Sequence, residues 1–95
     1  MEFEWDTVKA RKNLAKHGVS FDEAKSVFYD PLAASFPDPD HSWDETRNVI
    51  FGISSRNRFL LVSFADRIEK CRIISARTLT KSERRTFEET NQKGS

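Results

Sequence analysis

Phe59-Leu60-Leu61-Val62-Ser63-Phe64-Ala65 is apolar on both of its alternating faces, with Phe59 and Leu61 on one and Leu60, Val62 and Phe64 on the other. A strand of that kind belongs in the middle of a sheet whose two sides are both covered. Outward from it, Arg47 to Ser54 and Lys70 to Arg77 also read as strands, and the gaps Ser55-Arg-Asn-Arg58 and Asp66-Arg-Ile-Glu69 are of hairpin size. An antiparallel meander of at least three strands follows. A weaker strand is expected at Ala33 to Phe36.

Before the meander lie two helix signatures. Asp6 is placed to cap a helix running to about His17, and Gly18 can take the positive φ that ends it. Ser20-Phe-Asp-Glu23 has the spacing of a capping box, with Val19 and Ala24 as its hydrophobic staple, and predicts a second helix to about Phe28, stopped by Asp30-Pro31. After the meander, Thr80-Lys-Ser-Glu83 is another capping box and opens a helix to about Glu89. The predicted fold is therefore α+β: two N-terminal helices on one sheet face, the meander, and a C-terminal helix. Residues 1–90 form one domain and 91–95 a frayed polar tail.

The 95-residue chain leaves no room for a cofactor domain beside a substrate domain, which excludes a Rossmann enzyme. Leu, Ile, Val and Phe make up about 24% of it, above the roughly 20% below which chains stay disordered. Phe59 to Ala65 is far too short to span a bilayer, and Met1-Glu-Phe-Glu lacks the regions of a signal peptide, so a cytoplasmic protein without membrane association is expected. The single Cys71 excludes an intrachain disulfide and reads as a buried, inert thiol. The scattered glycines and the lack of a Gly-x-Ser-x-Gly elbow exclude phosphate-loop and serine-hydrolase chemistry.

Net charge is only +1, but it is unevenly distributed: residues 1–50 hold 6 Lys/Arg and 10 Asp/Glu, residues 51–95 hold 10 and 5. Positive potential concentrated on part of a small surface suits a polyanion, although a solvated charged surface has the same composition. Three constellations refine the choice. Arg77, Lys81 and Arg84 surround the start of the last helix, with Arg85 following, where unpaired N–H groups and planar guanidinium forks would seat a phosphate. Against that, Arg84 and Arg85 can simply pair with Glu88 and Glu89 at i, i+4. On the first helix Lys9, Asn13, Lys16 and His17 share a face, and His17 is either a proton-transfer group or a cation compensating the helix dipole. The loop with Asp38, Asp40, His41 and Asp44 is dense in possible metal ligands but matches no calcium or zinc spacing. It reads as a solvated acidic loop, with Trp43 either stacking on a base or anchoring the loop to the core.

Phe3-Glu-Trp-Asp6, Lys9, Asn13, Lys16-His-Gly-Val-Ser-Phe21, Glu23-Ala24, Phe28, Asp30-Pro31, Arg47 ahead of Gly52, Arg72-Ile-Ile-Ser-Ala-Arg77 and Glu83-Arg84-Arg85 together resemble the BrnT toxins of bacterial type II toxin–antitoxin modules. The resemblance spans Phe3 to about Glu88, and departs where the family often has Tyr at Phe87 and Glu at Thr46. It implies a RelE-like fold, RNA cleavage without a metal or other cofactor, arrest of translation, and neutralisation by a ribbon-helix-helix antitoxin through which alone the toxin meets DNA.

Laid on these positions, the chemistry of a cyclising ribonuclease makes His17, Arg77 and Arg84 the catalytic candidates. Lys9, Lys16, Arg47, Lys81 and Arg85 become the RNA-binding candidates. The competing class is a non-enzymatic module that binds RNA or an acidic protein through the same basic surface. A third, a metal hydrolase, would rest on Asp38, Asp40 and His41. Finally, one C-terminal helix is too little to cover the second sheet face, so apolar surface near Leu60, Val62, Phe64 or Ile74 is expected to be open to a partner.

Overall fold

In a computed structural model, which describes residues 1–93 and side chains through Glu89, the chain forms an α+β fold. The elements are β1 (Glu2–Glu4), α1 (Thr7–His17), α2 (Phe21–Val27), β2 (Ala34–Pro37), a 3-10 turn (Pro39–His41), β3 (Arg47–Ile53), β4 (Phe59–Asp66), β5 (Lys70–Thr78) and α3 (Lys81–Lys93). Part of the expected tail, 94–95, lies outside the described residues; α3 extends four residues beyond the expected Glu89.

Local signals set the helix ends. The Asp6 carboxylate accepts from the Val8 and Lys9 amides, and Gly18 closes α1 at φ 68°. At the second capping box the Ser20 hydroxyl accepts from Glu23 N–H at 3.0 Å, but the Glu23 side chain does not reach back. It turns inward to the Ser54 hydroxyl and the Arg58 guanidinium, so only half of the box forms. The Thr80 box is complete: Glu83 N–H donates to Thr80 Oγ1 at 3.2 Å and Thr80 N–H to Glu83 Oε1 at 2.9 Å.

Among the described residues the sheet has the order β1-β5-β4-β3-β2, antiparallel except for β1 beside β5. β1 is absent from the sequence reading. Three residues, two of them charged, carry no strand signal, and their extended form comes from lying beside Lys70, Cys71 and Arg72. A bulge interrupts the β4–β5 ladder, where Ser63 faces Ser75 but Phe64 faces Ile73.

The core lies between the sheet and α1–α2, where Val19, Phe21, Ala24 and Val27 pack on Ile50, Leu60, Val62, Phe64, Cys71, Ile73 and Ala76. Each large apolar side chain buried there contributes about 1.5–3 kcal/mol. Phe28 joins this core to the N-terminus through edge contacts with Phe3 at 5.1 Å and Phe64 at 4.9 Å. The face expected to stay open is thereby corrected. Leu60 and Val62 are fully buried and Phe64 is nearly so, because the two helices cover their side, while Ile74 sits beside α1 next to the bulge. The open side is the other alternation, with Val49, Phe51 and Leu61 along it. Helix α3 covers only one end, where Phe87 meets Phe59 at 5.9 Å.

Gly52 lets α2 approach β3. A Cβ there would lie 2.9 Å from Val27 Cγ1 and 3.0 Å from Ala33 Cβ and Asp30 Oδ2, the last of which accepts the Ile53 N–H. Gly52→Ala should therefore cost about 1–3 kcal/mol by overpacking. It would be read as a lower urea midpoint with an unchanged slope.

Candidate functional site

The open sheet face is the floor of a cleft of about 700 Å³, within the roughly 300–1,000 Å³ of ordinary ligand sites. Val49, Phe51 and Leu61 give it an apolar base, and Ser63 and Ser75 a polar strip. Four elements raise its walls. Arg77 stands on β5, Glu83 on the first turn of α3, Arg47 at the start of β3, and His41 on the 3-10 turn; His17, the last residue of α1, reaches in from the sheet edge.

Arg77 is fixed by Glu83, with Nη1 donating to Oε1 at 2.7 Å and Nη2 to Oε2 at 2.8 Å, while Nη1 also donates to the Thr78 carbonyl at 3.2 Å. The arginine's hydrogen bonds, helped by the Thr80 amide, pull the Glu83 carboxyl down to about 2 despite partial burial, and Arg77 is shifted up by the same pairing. Glu83 thus occupies the Nη1–Nη2 end of Arg77 and the Thr80 amide with the protein's own carboxylate. The Nε–Nη2 edge of Arg77, however, has no acceptor among the described residues, and that edge can take two oxygens.

A group whose folded pKa is depressed stabilises above its unfolded pKa and loses that contribution as pH falls through the folded value. Stability from the Arg77–Glu83 pair should therefore be complete above about pH 5 and vanish between about 4.5 and 2. Glu83→Gln should cost about 1–2 kcal/mol at pH 7, allowing for solvent screening, and almost nothing near pH 2. Denaturant titrations of both proteins across that range test it. Glu23, lowered chiefly by its hydrogen bond from Arg58, works in the same direction.

On the opposite wall the buried Asp38 caps the 3-10 turn through the Asp40 amide at 3.0 Å. Its other oxygen lies 3.3 Å from His41 Nδ1 and 3.6 Å from Arg47 Nη2. The first contact is close enough for an ion pair but not aligned as a hydrogen bond, and both His41 Nδ1 and Arg47 Nε are buried without a hydrogen-bond partner among the described residues. Among the described residues no group of three or more His, Cys, Asp or Glu is placed to hold a metal ion. Trp43 is not anchored to the core: it is 78% exposed and leans on the His41 ring at 5.7 Å.

A second, shallower groove of about 230 Å³ runs along α1, lined by Lys9, Lys12, Lys16 and Ile74, and it shares His17 and Ser75 with the cleft. Lys12 joins this face unexpectedly, although it stands three residues from Lys9 and four from Lys16. Asn13 lies beneath this groove and is buried rather than displayed: its Nδ2 donates to the Val19 and Ala76 carbonyls at 2.9 Å, and Ala76 N–H donates to its Oδ1 at 3.1 Å.

The structure brings His17, Arg47 and Arg77 together in the cleft, with Lys9 and Lys16 alongside, but not Arg84, Lys81 or Arg85. Arg84 lies over the Phe59 ring at 4.1 Å, bonds Glu88 at 3.2 Å, and lines a separate groove with Asn57, Arg58 and Leu79. Lys81 and Arg85 are exposed on α3. Cys71 is buried, and desolvation followed by the Asp66 charge pushes its thiol up to about 12, far from nucleophilic. Of the two departures, Phe87 packs against Phe59 outside the cleft and Thr46 bonds Asp44 at 2.7 Å. No helix among the described residues is long and apolar enough to cross a membrane.

Fold and cleft together define a small α+β protein with an open sheet face, walled by two arginines, two histidines and three carboxylates. Its sequence matches, over residues 5–83, the family described as the ribonuclease toxin BrnT of type II toxin–antitoxin systems, and the chain belongs to that family. A search of solved structures finds the 1.1 Å crystal structure of the Brucella abortus ribonuclease toxin BrnT. It is 24% identical, with a TM-score of 0.68 over 85% of this chain and 99% of that one, and so shares the fold. No curated protein matches.

Proposed function

We propose that this chain is an endoribonuclease of the cyclising type. In that chemistry the ribose 2′-hydroxyl attacks the adjacent phosphate, and cations rather than a metal ion carry the charge of the phosphorane. The observation supporting it is the convergence of a histidine and two arginines, His17, Arg47 and Arg77, from three elements on one cleft. His17 transfers a proton, Arg77 holds the phosphate through its Nε–Nη2 edge, and Arg47 adds to the field. Lys9 and Lys16 carry the strand along the α1 groove. Arg84, Lys81 and Arg85, outside the cleft, contribute to RNA attraction at longer range.

Cleavage of cytoplasmic RNA would arrest translation. A ribbon-helix-helix antitoxin would neutralise the protein by covering the open face, with acidic side chains against Arg77 and Arg47, and would carry any contact with DNA. Purified protein incubated with RNA in EDTA should yield fragments ending in 2′,3′-cyclic phosphate. RNA left intact at high protein excess would instead favour a non-enzymatic binding module, and activity abolished by EDTA would favour a metal hydrolase.

A further inference from the structure

Cyclising cleavage needs two proton transfers, one from the 2′-hydroxyl and one to the departing 5′-oxygen, and His17 accounts for one. The chain has only two histidines, and both line the same cleft, His17 from α1 and His41 from the 3-10 turn on the opposite wall. We propose that His41 is the second catalytic residue, so that His17 and His41 act as the general base and general acid of one reaction. This rests on the ribonuclease reading above.

The surroundings of His41 suit the task. Its Nδ1 is turned inward to Asp38 at 3.3 Å, which leaves Nε2 as the nitrogen directed away from the carboxylate. Trp43 leans on the ring at 5.7 Å. The charged groups facing the ring are Asp38 and Asp40 on its own turn, Asp44 just beyond, Arg47 on β3, and Arg77 and Glu83 across the cleft. Glu83 is a poor rival for the proton, since Arg77 holds its carboxyl at about 2. Asp38 is engaged by the Asp40 amide and Arg47.

In the step itself, the 2′-oxygen forms a bond to phosphorus as its proton passes to the neutral imidazole. The bond from phosphorus to the 5′-oxygen breaks, that oxygen keeps the electron pair, and it receives a proton from the imidazolium on the opposite wall. The products are a 2′,3′-cyclic phosphate and a 5′-hydroxyl. The pair has exchanged protonation states, and water resets it.

The test is a pH–rate profile from pH 4.5 to 9 on a labelled RNA oligonucleotide in EDTA, for the wild type, His17→Ala and His41→Ala. The wild type should give a bell. His41→Ala should lose about 100-fold or more in kcat, with KM changed by less than about threefold, and should lose one limb of the bell. Added imidazole should restore part of its rate. Unchanged affinity for the all-2′-deoxy oligonucleotide checks that the variant is folded and its site intact. A His41→Ala protein with wild-type kcat and an intact bell, beside a dead His17→Ala, would overturn the proposal and leave the ribonuclease reading standing. The same holds if Asp40→Asn, rather than His41→Ala, removes the limb. A wild type that leaves RNA intact overturns both.

Discussion

Asn13→Leu should lower the stability of the protein by about 3–5 kcal/mol, among the largest effects expected of any single substitution. Leucine keeps the branched outline and heavy-atom count of asparagine, so no cavity opens, and the loss is of hydrogen bonding with some overpacking by the larger methyl groups. The asparagine amide satisfies the Ala76 N–H and carbonyl and the Val19 carbonyl, all three bonds buried. β1 pairs with β5 only from Lys70 to Arg72, so beyond that point β5 has no neighbouring strand on this side among the described residues, and a side chain on α1 takes the neighbour's place. Each buried backbone group left unpaired costs about 1–3 kcal/mol, partly offset by the apolar side chain that replaces the amide. For a domain of this size the melting temperature should fall on the order of 15–30 °C. A drop of only a few degrees would mean that water replaces the amide, and that α1 does not need Asn13 to hold His17 and the lysine groove against β5.

Asn13 also shows where the sequence is legible and where it is not. Its position on the lysine face of α1 is plain from helical spacing, yet that spacing suggests a displayed amide rather than a buried one, because its partner is 63 residues away. The same distinction runs through the fold. Asp6, Gly18 and the Thr80 box act within a few residues and are read correctly, as is the doubly apolar β4. β1 and the bulge at Ser63/Phe64 exist only through pairing, and the choice of which alternation of β4 faces α1 and α2 is likewise tertiary. At the site, His17, Arg47 and Arg77 stand out by residue type and place in the pattern. His41 is hidden in a loop that looks like a solvated acidic stretch. The buried Glu23–Ser54 pair, with the half-buried Arg58 on it, is concealed because Glu23 also satisfies the spacing of a capping box.

The second large effect separates two arginines that the sequence presents as a pair. Arg77→Ala should reduce RNA cleavage by about 100-fold or more, the usual loss when a preorganised donor to the reacting phosphate is removed. Arg84→Ala should change it by less than about threefold. The reason lies in the face α3 turns to the sheet: Glu83 and Phe87, at i and i+4, point inward to Arg77 and Phe59, and Arg84, about 100° further round, falls to the side over the Phe59 ring. From there it makes an exposed bond to Glu88 and a cation–π contact, together worth about 1–2 kcal/mol of stability rather than catalysis. Arg77 is held from behind by Glu83 and Thr78 and keeps its Nε–Nη2 edge for two phosphate oxygens, so lysine should not replace it: Arg77→Lys is expected to be nearly as inactive as alanine. Initial rates on one RNA in EDTA, with circular dichroism and melting curves to show that each variant is folded, decide the matter. If Arg84→Ala proves as inactive as Arg77→Ala while remaining folded, RNA reaches across α3 into the groove beside Phe59, and the cleft is only part of the site.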